Sequence, residues 1–221
     1  MSRARPRAPA PQFVMARPRA SRLIENAARR LGFVRIAGAD EVGRGCLAGP
    51  VVAASVILPP DVTIRGVRDS KQTTAAQRER LYQEIVAAAQ SWSVASIEPS
   101  EIDRVNIARA SLEAMRQAVL ELEPLPDLVL VDAFLIPGLL MAQRAIVHGD
   151  AHCSAIAAAS ILAKVTRDRH MEALHLQDPR YGYDRHKGYA TAEHLAAVAR
   201  FGYSEAHRRS FRPPTLFDRM D

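Results

Sequence analysis

The order in which short apolar segments recur is what most restricts the fold of this chain. "FVRIAGAD" (33–40), "VVAASVIL" (51–58) and "WSVASI" (92–97) have the length and the β-branched content of strands. "DLVLVDA" (127–133) and "RAIVHGD" (144–150) follow as a fourth and a fifth. Helices are predicted over 21–31, 74–89, 107–122, 154–173 and 191–200, the second with Thr74 as its N-cap and with Leu81, Ile85 and Ala88 on one face. Strands in a meander, then strands alternating with helices, specify an α/β fold: a mixed β-sheet flanked by helices, with the last helices as a C-terminal extension. A chain of 221 residues that is 48% apolar can bury one sizeable core. Its apolar runs are too short or too broken to span a bilayer, which takes roughly 20 consecutive apolar residues, so a soluble, cytoplasmic protein with no membrane partner is expected.

Charge divides the chain into three parts. Six of the 30 basic residues lie in the first 22 positions with no acid among them, and the remaining 24 balance the 24 acids. Together with Pro6, Pro9, Pro11 and Pro18 this marks 1–20 as a disordered basic arm with no secretory apolar segment, ahead of a domain over 21–213 and a short tail, 214–221. Met15 is an alternative start. Within the domain, 164–212 holds ten Lys or Arg against six acids and 40–163 holds ten against fifteen, a polarity that suits a metal-binding acid cluster beside a phosphate-binding surface as well as an ordinary mix of solvated faces. Cys46 and Cys153 stand apart in sequence, outside any CxxC spacing, which fits a reducing compartment and free thiols.

The acids carry the chemistry. Asp40 and Glu41 close the first strand, Asp132 the fourth, and Asp150 the fifth segment, so four carboxylates converge on one edge of a sheet. Crowded carboxylates repel unless a hard cation neutralises them, and oxygen-only ligands suit Mg²⁺ or Mn²⁺. A pair of such ions can activate a water and stabilise the leaving oxygen of a phosphodiester. Gly43, Gly45 and Ala48 match the dinucleotide pattern GxGxxG/A, but a strand rather than a helix follows, so a nucleotide cofactor is rejected. The glycines instead let backbone amides and Arg44 approach a nucleic-acid strand. Lys71 in "RDSK" precedes a helix, and "YGYDRHKGYAT" (181–191) mixes Tyr181, Tyr183 and Tyr189 with Arg185, His186 and Lys187, as a loop that stacks on sugars while binding phosphates would. Asp168, within a helix between Arg167 and Arg169, reads as a helical ion pair before a ligand, and His148, His152 and His170 read as structural polar groups.

"GADEVGRG", "DSK", "VDA", "GD…AIAAASILAKVTRD" and "YGYDRHKGYAT…H", in this order and spacing over about 33–213, resemble bacterial ribonuclease HII. The resemblance implies a ribonuclease H-like fold, and endonucleolytic cleavage of the RNA strand in RNA–DNA hybrids and of single ribonucleotides embedded in duplex DNA. It implies a two-ion Mg²⁺ or Mn²⁺ site formed by Asp40, Glu41, Asp132 and Asp150. It places Gly43, Arg44 and Gly45 at the ribose 2′-hydroxyl and flanking phosphates, Tyr189 against the deoxyribose that follows, and Lys71 on a backbone phosphate. A monomer is the expected state. Ala133-Phe134 stands where the family usually has glycine, so the backbone beyond Asp132 is expected to differ. Two alternatives remain at this stage: a metal-dependent DNA nuclease or recombinase on a similar sheet, and a catalytically silent hybrid-binding module.

Overall fold

The computed structural model describes residues 20–67 and 73–211. The predicted arm up to residue 19, Lys71 with its "RDSK" turn, and the 214–221 tail lie outside the described residues.

Five strands form one mixed sheet: β1 (Ile36–Val42), β2 (Val51–Ile57), β3 (Ser91–Ile97), β4 (Leu128–Asp132) and β5 (Ala142–Ile146). Their order across it is β3-β2-β1-β4-β5. The first three are an antiparallel meander, and β1, β4 and β5 run parallel, as the element order predicts. The main helices are α1 (Leu23–Arg30), α2 (Ala75–Ala88), α3 (Pro99–Val105), α4 (Ile107–Leu120), α5 (Gly149–His152), α6 (Ser154–Gln177), α7 (Tyr183–His186) and α8 (Ala192–Phe201). α2 opens on the predicted Thr74 cap, whose hydroxyl accepts the Gln77 amide while the Gln77 side chain accepts the Thr74 amide.

Strand β2 is buried along its whole length because helices cover both faces of the sheet. Val51 and Ala53 point to one side, where Ile102 of α3 and Ala110, Ala114 and Ala118 of α4 complete the core. Val52, Ala54 and Val56 point to the other, against Leu81 and Ile85 of α2 and the alanines of α6. Alanine decides how closely α6 can lie. At Gly38 of β1 even a Cβ would sit 2.1 Å from the main-chain carbon of Ala155, so the helix runs against bare backbone there. The α6 N-terminus is held by buried Glu25 of α1, which accepts the Ala155 amide at 3.0 Å. Among the described residues no helix is long and apolar enough to cross a membrane, and Cys46 and Cys153 are both buried and free.

Candidate active site

The ends of β1 and β4 bring the acids together. Parallel pairing sets Ala39 beside Val131, so the next residue of each strand places Asp40 beside Asp132. Successive residues of a strand face opposite sides: Asp40, like Gly38, faces α6, and Glu41 faces away, where Arg44 Nη1 meets its carboxylate at 3.2 Å. Asp40 is buried and accepts the Glu41 amide at 2.8 Å, with the Ser160 hydroxyl of α6 as a second donor. Burial, followed by the charges of Glu41 and Asp132, pushes the Asp40 carboxyl well above the usual carboxylate range. Burial also pushes Glu41 upward, against the opposing pull of Arg44.

Asp132 Oδ1 accepts the Gly149 amide at 2.7 Å. The predicted fifth strand does not run on to Asp150. It ends at Ile146, paired with Asp132, and the chain turns through His148 (φ 54°) into the single turn α5. Asp150 therefore arrives on a helical turn, one residue from the amide that holds Asp132. Ala133, the departure noted in the sequence, sits at φ 61°, a left-handed conformation in which glycine would be unstrained.

The Gly43-Arg44-Gly45 loop turns directly from β1 back to β2 with no helix between, as expected of a segment that is no dinucleotide site. Gly43, at φ 93°, is required by Arg167 of α6: a Cβ there would lie 2.2 Å from Arg167 Nε. Arg167 is fully buried, and its guanidinium donates to the carbonyls of Ala48 (3.0 Å), Pro50 (2.9 Å) and Lys187 (2.9 Å). Arg208, equally buried, donates to those of Arg44 and Gly49. Two buried cations thus clamp the glycine loop by its own main chain. The sequence reading missed both. Arg167 stands four residues after Ala163 and four before Met171, so the 3.6-residue period already set it on the inward stripe of α6.

The 181–191 segment corrects the expectation of a mixed aromatic and basic binding loop. Tyr181 and Tyr183 are buried and stacked on each other at 5.5 Å. His186 is buried, Arg185 pairs with Glu193, and Lys187 pairs with Glu172 at 2.8 Å. Tyr189 is the aromatic of this segment that remains open, 42% exposed. Beneath it His186, His194 and His207 form a second cluster that the sequence did not reveal; His186 and His194 stack at 4.3 Å. Asp168 forms the ion pair expected of it, with Lys164 at 2.6 Å and Arg78 at 3.7 Å. His148 and His152 are exposed.

A profile of the "Ribonuclease HII" family matches residues 37–213. The chain belongs to the ribonuclease HII family. The ribonuclease HII of Delftia acidovorans is 58% identical over 178 residues, 80% of this chain and 76% of that one. The fold is similar to the ribonuclease H2 of Pyrococcus horikoshii (TM-score 0.69, 28% identity, 80% of this chain and 94% of that one). It is also similar to the ribonuclease HII from Archaeoglobus fulgidus in its complex with PCNA (TM-score 0.67, 28% identity, 83% and 99%). As a ribonuclease HII family member the chain is a metal-dependent hydrolase, an endoribonuclease acting on RNA–DNA hybrids. Its acids fit a hard cation: the donors are all oxygen, and the carboxyls of Asp40 and Glu41 are both raised, first by burial and then by neighbouring acids, Glu41 and Asp132 for Asp40 and Asp132 for Glu41. Among the described residues no three His, Cys, Asp or Glu side chains already converge as a finished ligand cage.

Proposed function

We propose that this enzyme nicks duplex DNA on the 5′ side of an embedded ribonucleotide, as well as the RNA strand of hybrids, leaving 3′-hydroxyl and 5′-phosphate ends. Asp40, Glu41, Asp132 and Asp150 would hold two Mg²⁺ or Mn²⁺ ions. Bound there, the ions supply an activated water and a counter-charge for the leaving oxygen. The observation that carries this reading is the side-by-side placement of Asp40 and Asp132 at the ends of paired strands, with Asp40 pushed toward its neutral form.

The chain's own residues fix the rest. Gly149 orients Asp132, Ser160 and the Glu41 amide orient Asp40, and Arg44 restrains Glu41 while its remaining donors face solvent beside the acids. The Gly43–Gly45 turn, open to solvent at Arg44 and Gly45, would meet the ribose 2′-hydroxyl, the group that separates RNA from DNA, with the flanking phosphates on Arg44. Tyr189 would pack its open face on the following deoxyribose, where a ribose would add a hydroxyl against the ring. Lys71 would take a backbone phosphate. This activity serves removal of ribonucleotides from DNA and of RNA primers.

The test is cleavage of a labelled DNA duplex carrying one ribonucleotide, with Mg²⁺ or Mn²⁺, beside an all-DNA duplex and an Asp40→Asn enzyme. A single nick 5′ to the ribonucleotide, missing from both controls, is expected. Cutting of the all-DNA duplex, or equal cutting by Asp40→Asn, would refute the reading.

A further inference from the structure

The glycine loop is held from the far end of the chain as well as from α6. Residues 206–208 run beside 47–49: the Gly49 amide donates to the Ala206 carbonyl and the Arg208 amide to that of Leu47, each at 2.8 Å, with Ala48 and His207 bridged between them. From this backbone the buried Arg208 side chain reaches the Arg44 carbonyl through Nη1 at 2.9 Å, while Nε and Nη2 donate to that of Gly49 at 3.0 and 2.9 Å. A trans peptide is planar, and its N–H points opposite to its C=O. Holding the Arg44 carbonyl on a buried guanidinium therefore turns the Gly45 amide, the other edge of the same peptide, away from Arg208. Next to a glycine such a peptide rotates readily when nothing holds it.

Arg208 is fixed in turn by the residues that follow it. Asp103 of α3 accepts the next two main-chain amides, Arg209 at Oδ2 (2.8 Å) and Ser210 at Oδ1 (2.9 Å), and its Oδ1 also accepts the Ser210 hydroxyl at 2.5 Å. Bonds to a carboxylate are roughly twice as strong as those between neutral groups. Asp103 is itself well placed to anchor, because Ile102 before it is fully buried in the core under β2 and α4, on which Phe211 also packs. Three groups on one carboxylate thus tie the chain down directly beyond Arg208. We propose that Asp103 is a positioning residue for substrate discrimination: it anchors residues 209–210 and so fixes Arg208, which sets the orientation of the Arg44–Gly45 peptide in the turn that meets the sugar.

This rests on the reading of the Gly43–Gly45 turn given above, and the experiment separates the two. The readout is the ratio of kcat/KM on a duplex with a single ribonucleotide to kcat/KM on a uniform RNA–DNA hybrid, measured for the full-length enzyme after thermal denaturation confirms a folded protein. A hybrid offers a 2′-hydroxyl at every register and tolerates a loosened turn better than a duplex that offers one, whereas a general loss of folded enzyme lowers both rates alike. A hydrogen bond to a charged group is worth about ten- to a hundredfold, and with part of that reaching the turn Asp103→Ala should lower the ratio about three- to tenfold. Asp103→Asn, which keeps one acceptor oxygen, should lower it by less, and it carries the test where Asp103→Ala does not fold. Arg208→Lys keeps the charge and loses the fork that spans Arg44 and Gly49; it should lower the ratio at least as far, and adding Asp103→Ala to it should lower the ratio no further. A parental ratio in Asp103→Ala, or in Asp103→Asn where the alanine variant does not fold, or effects that multiply in the double variant, overturns the positioning role alone. A Cβ at Gly45 meets nothing within 4 Å, so Gly45→Ala sets a methyl on the open side of the turn without disturbing the fold and should also lower the ratio. A parental ratio in Gly45→Ala overturns the positioning role and the reading of the turn together.

Discussion

The buried histidines make a prediction that follows from hydrogen-bond direction. The Ser204 amide donates to His207 Nδ1 at 2.9 Å, which makes that nitrogen an acceptor and leaves the proton on Nε2. His207 Nε2 then donates to His194 Nε2 at 3.1 Å, and His194 Nδ1 donates to the Tyr189 carbonyl at 2.9 Å. His186 is fixed likewise, Nε2 on the Tyr181 carbonyl at 2.7 Å and Nδ1 accepting the Gly188 amide at 3.2 Å. In every ring the unprotonated nitrogen faces a donor, so a second proton breaks a bond. Burial adds to this, and His194 and His207 are each pulled down to about 4. Because the folded values lie below the unfolded value of about 6.5, the stability these rings contribute is complete above about pH 6.5 and is lost as pH falls toward 4. At pH 5 the loss is about 2 kcal/mol per ring, about 4 kcal/mol for both, a large part of a typical domain's roughly 5–15 kcal/mol. Asp40 and Glu41 act with the opposite sign, since a carboxyl pushed upward binds its proton more readily when folded. Urea unfolding of the metal-free enzyme and of Asp40→Asn at pH 7 and pH 5 should therefore show both losing stability, the variant more steeply. NMR titration should show His194 and His207 still neutral at pH 5. Titration of these rings near 6.5, or an unfolding free energy that is flat from pH 7 to 5 in Asp40→Asn, would refute the argument.

Three substitutions test the site from other sides. Asp40→Asn removes a buried charge that Glu41 and Asp132 repel, so it should stabilise the metal-free fold by about 1–2 kcal/mol in urea unfolding while cleavage falls at least about a thousandfold, about 4 kcal/mol of barrier. Gly38→Ala sets a methyl 2.1 Å from the Ala155 backbone; α6 must retreat by roughly 1 Å, at a cost of about 1–3 kcal/mol or more, and Ser160 leaves Asp40, so thermal stability and kcat should fall together. Ala133→Gly relieves a left-handed alanine at φ 61°, which costs about 1–2 kcal/mol against a glycine entropy of about 0.5–1 kcal/mol, so the melting temperature should hold or rise.

What the sequence makes legible is whatever a strand or helix period alone determines. Apolar runs ending on Asp40 and Asp132 predict both strands, and the parallel pairing that follows from the element order sets the two acids side by side. The overextended fifth strand shows where this fails. "RAIVHGD" is apolar enough to continue, but its length is set by β4, which ends at Asp132 and leaves nothing beyond Ile146 to pair with. The Tyr181–Thr191 segment fails for a second reason. Its polar composition describes a solvated loop, yet its histidines and tyrosines satisfy one another and the main chain, and such pairing across 181–207 is invisible in composition.

The two halves of the candidate site have opposite physical characters, and the division suits the tasks proposed for them. On the sheet edge, burial raises the carboxyls of Asp40 and Glu41 and makes their charged forms costly, a cost that a cation bound as proposed above would offset. At the other half, the proposed discrimination would depend on distances of the order of one hydroxyl, so little such latitude would be tolerable. There the polar groups are matched within the protein itself: Arg167 and Arg208 on carbonyls, and two neutral imidazoles, His207 and His194, passing hydrogen bonds in one direction from Ser204 to the backbone of Tyr189. Helix α6 joins them, touching Asp40 through Ser160 and the glycine loop through Arg167 about two turns later. On the function proposed above, a shift of that helix along the sheet would move the proposed metal-binding acids and the proposed sugar-reading loop together, which would keep the point of cleavage in register with the sugar.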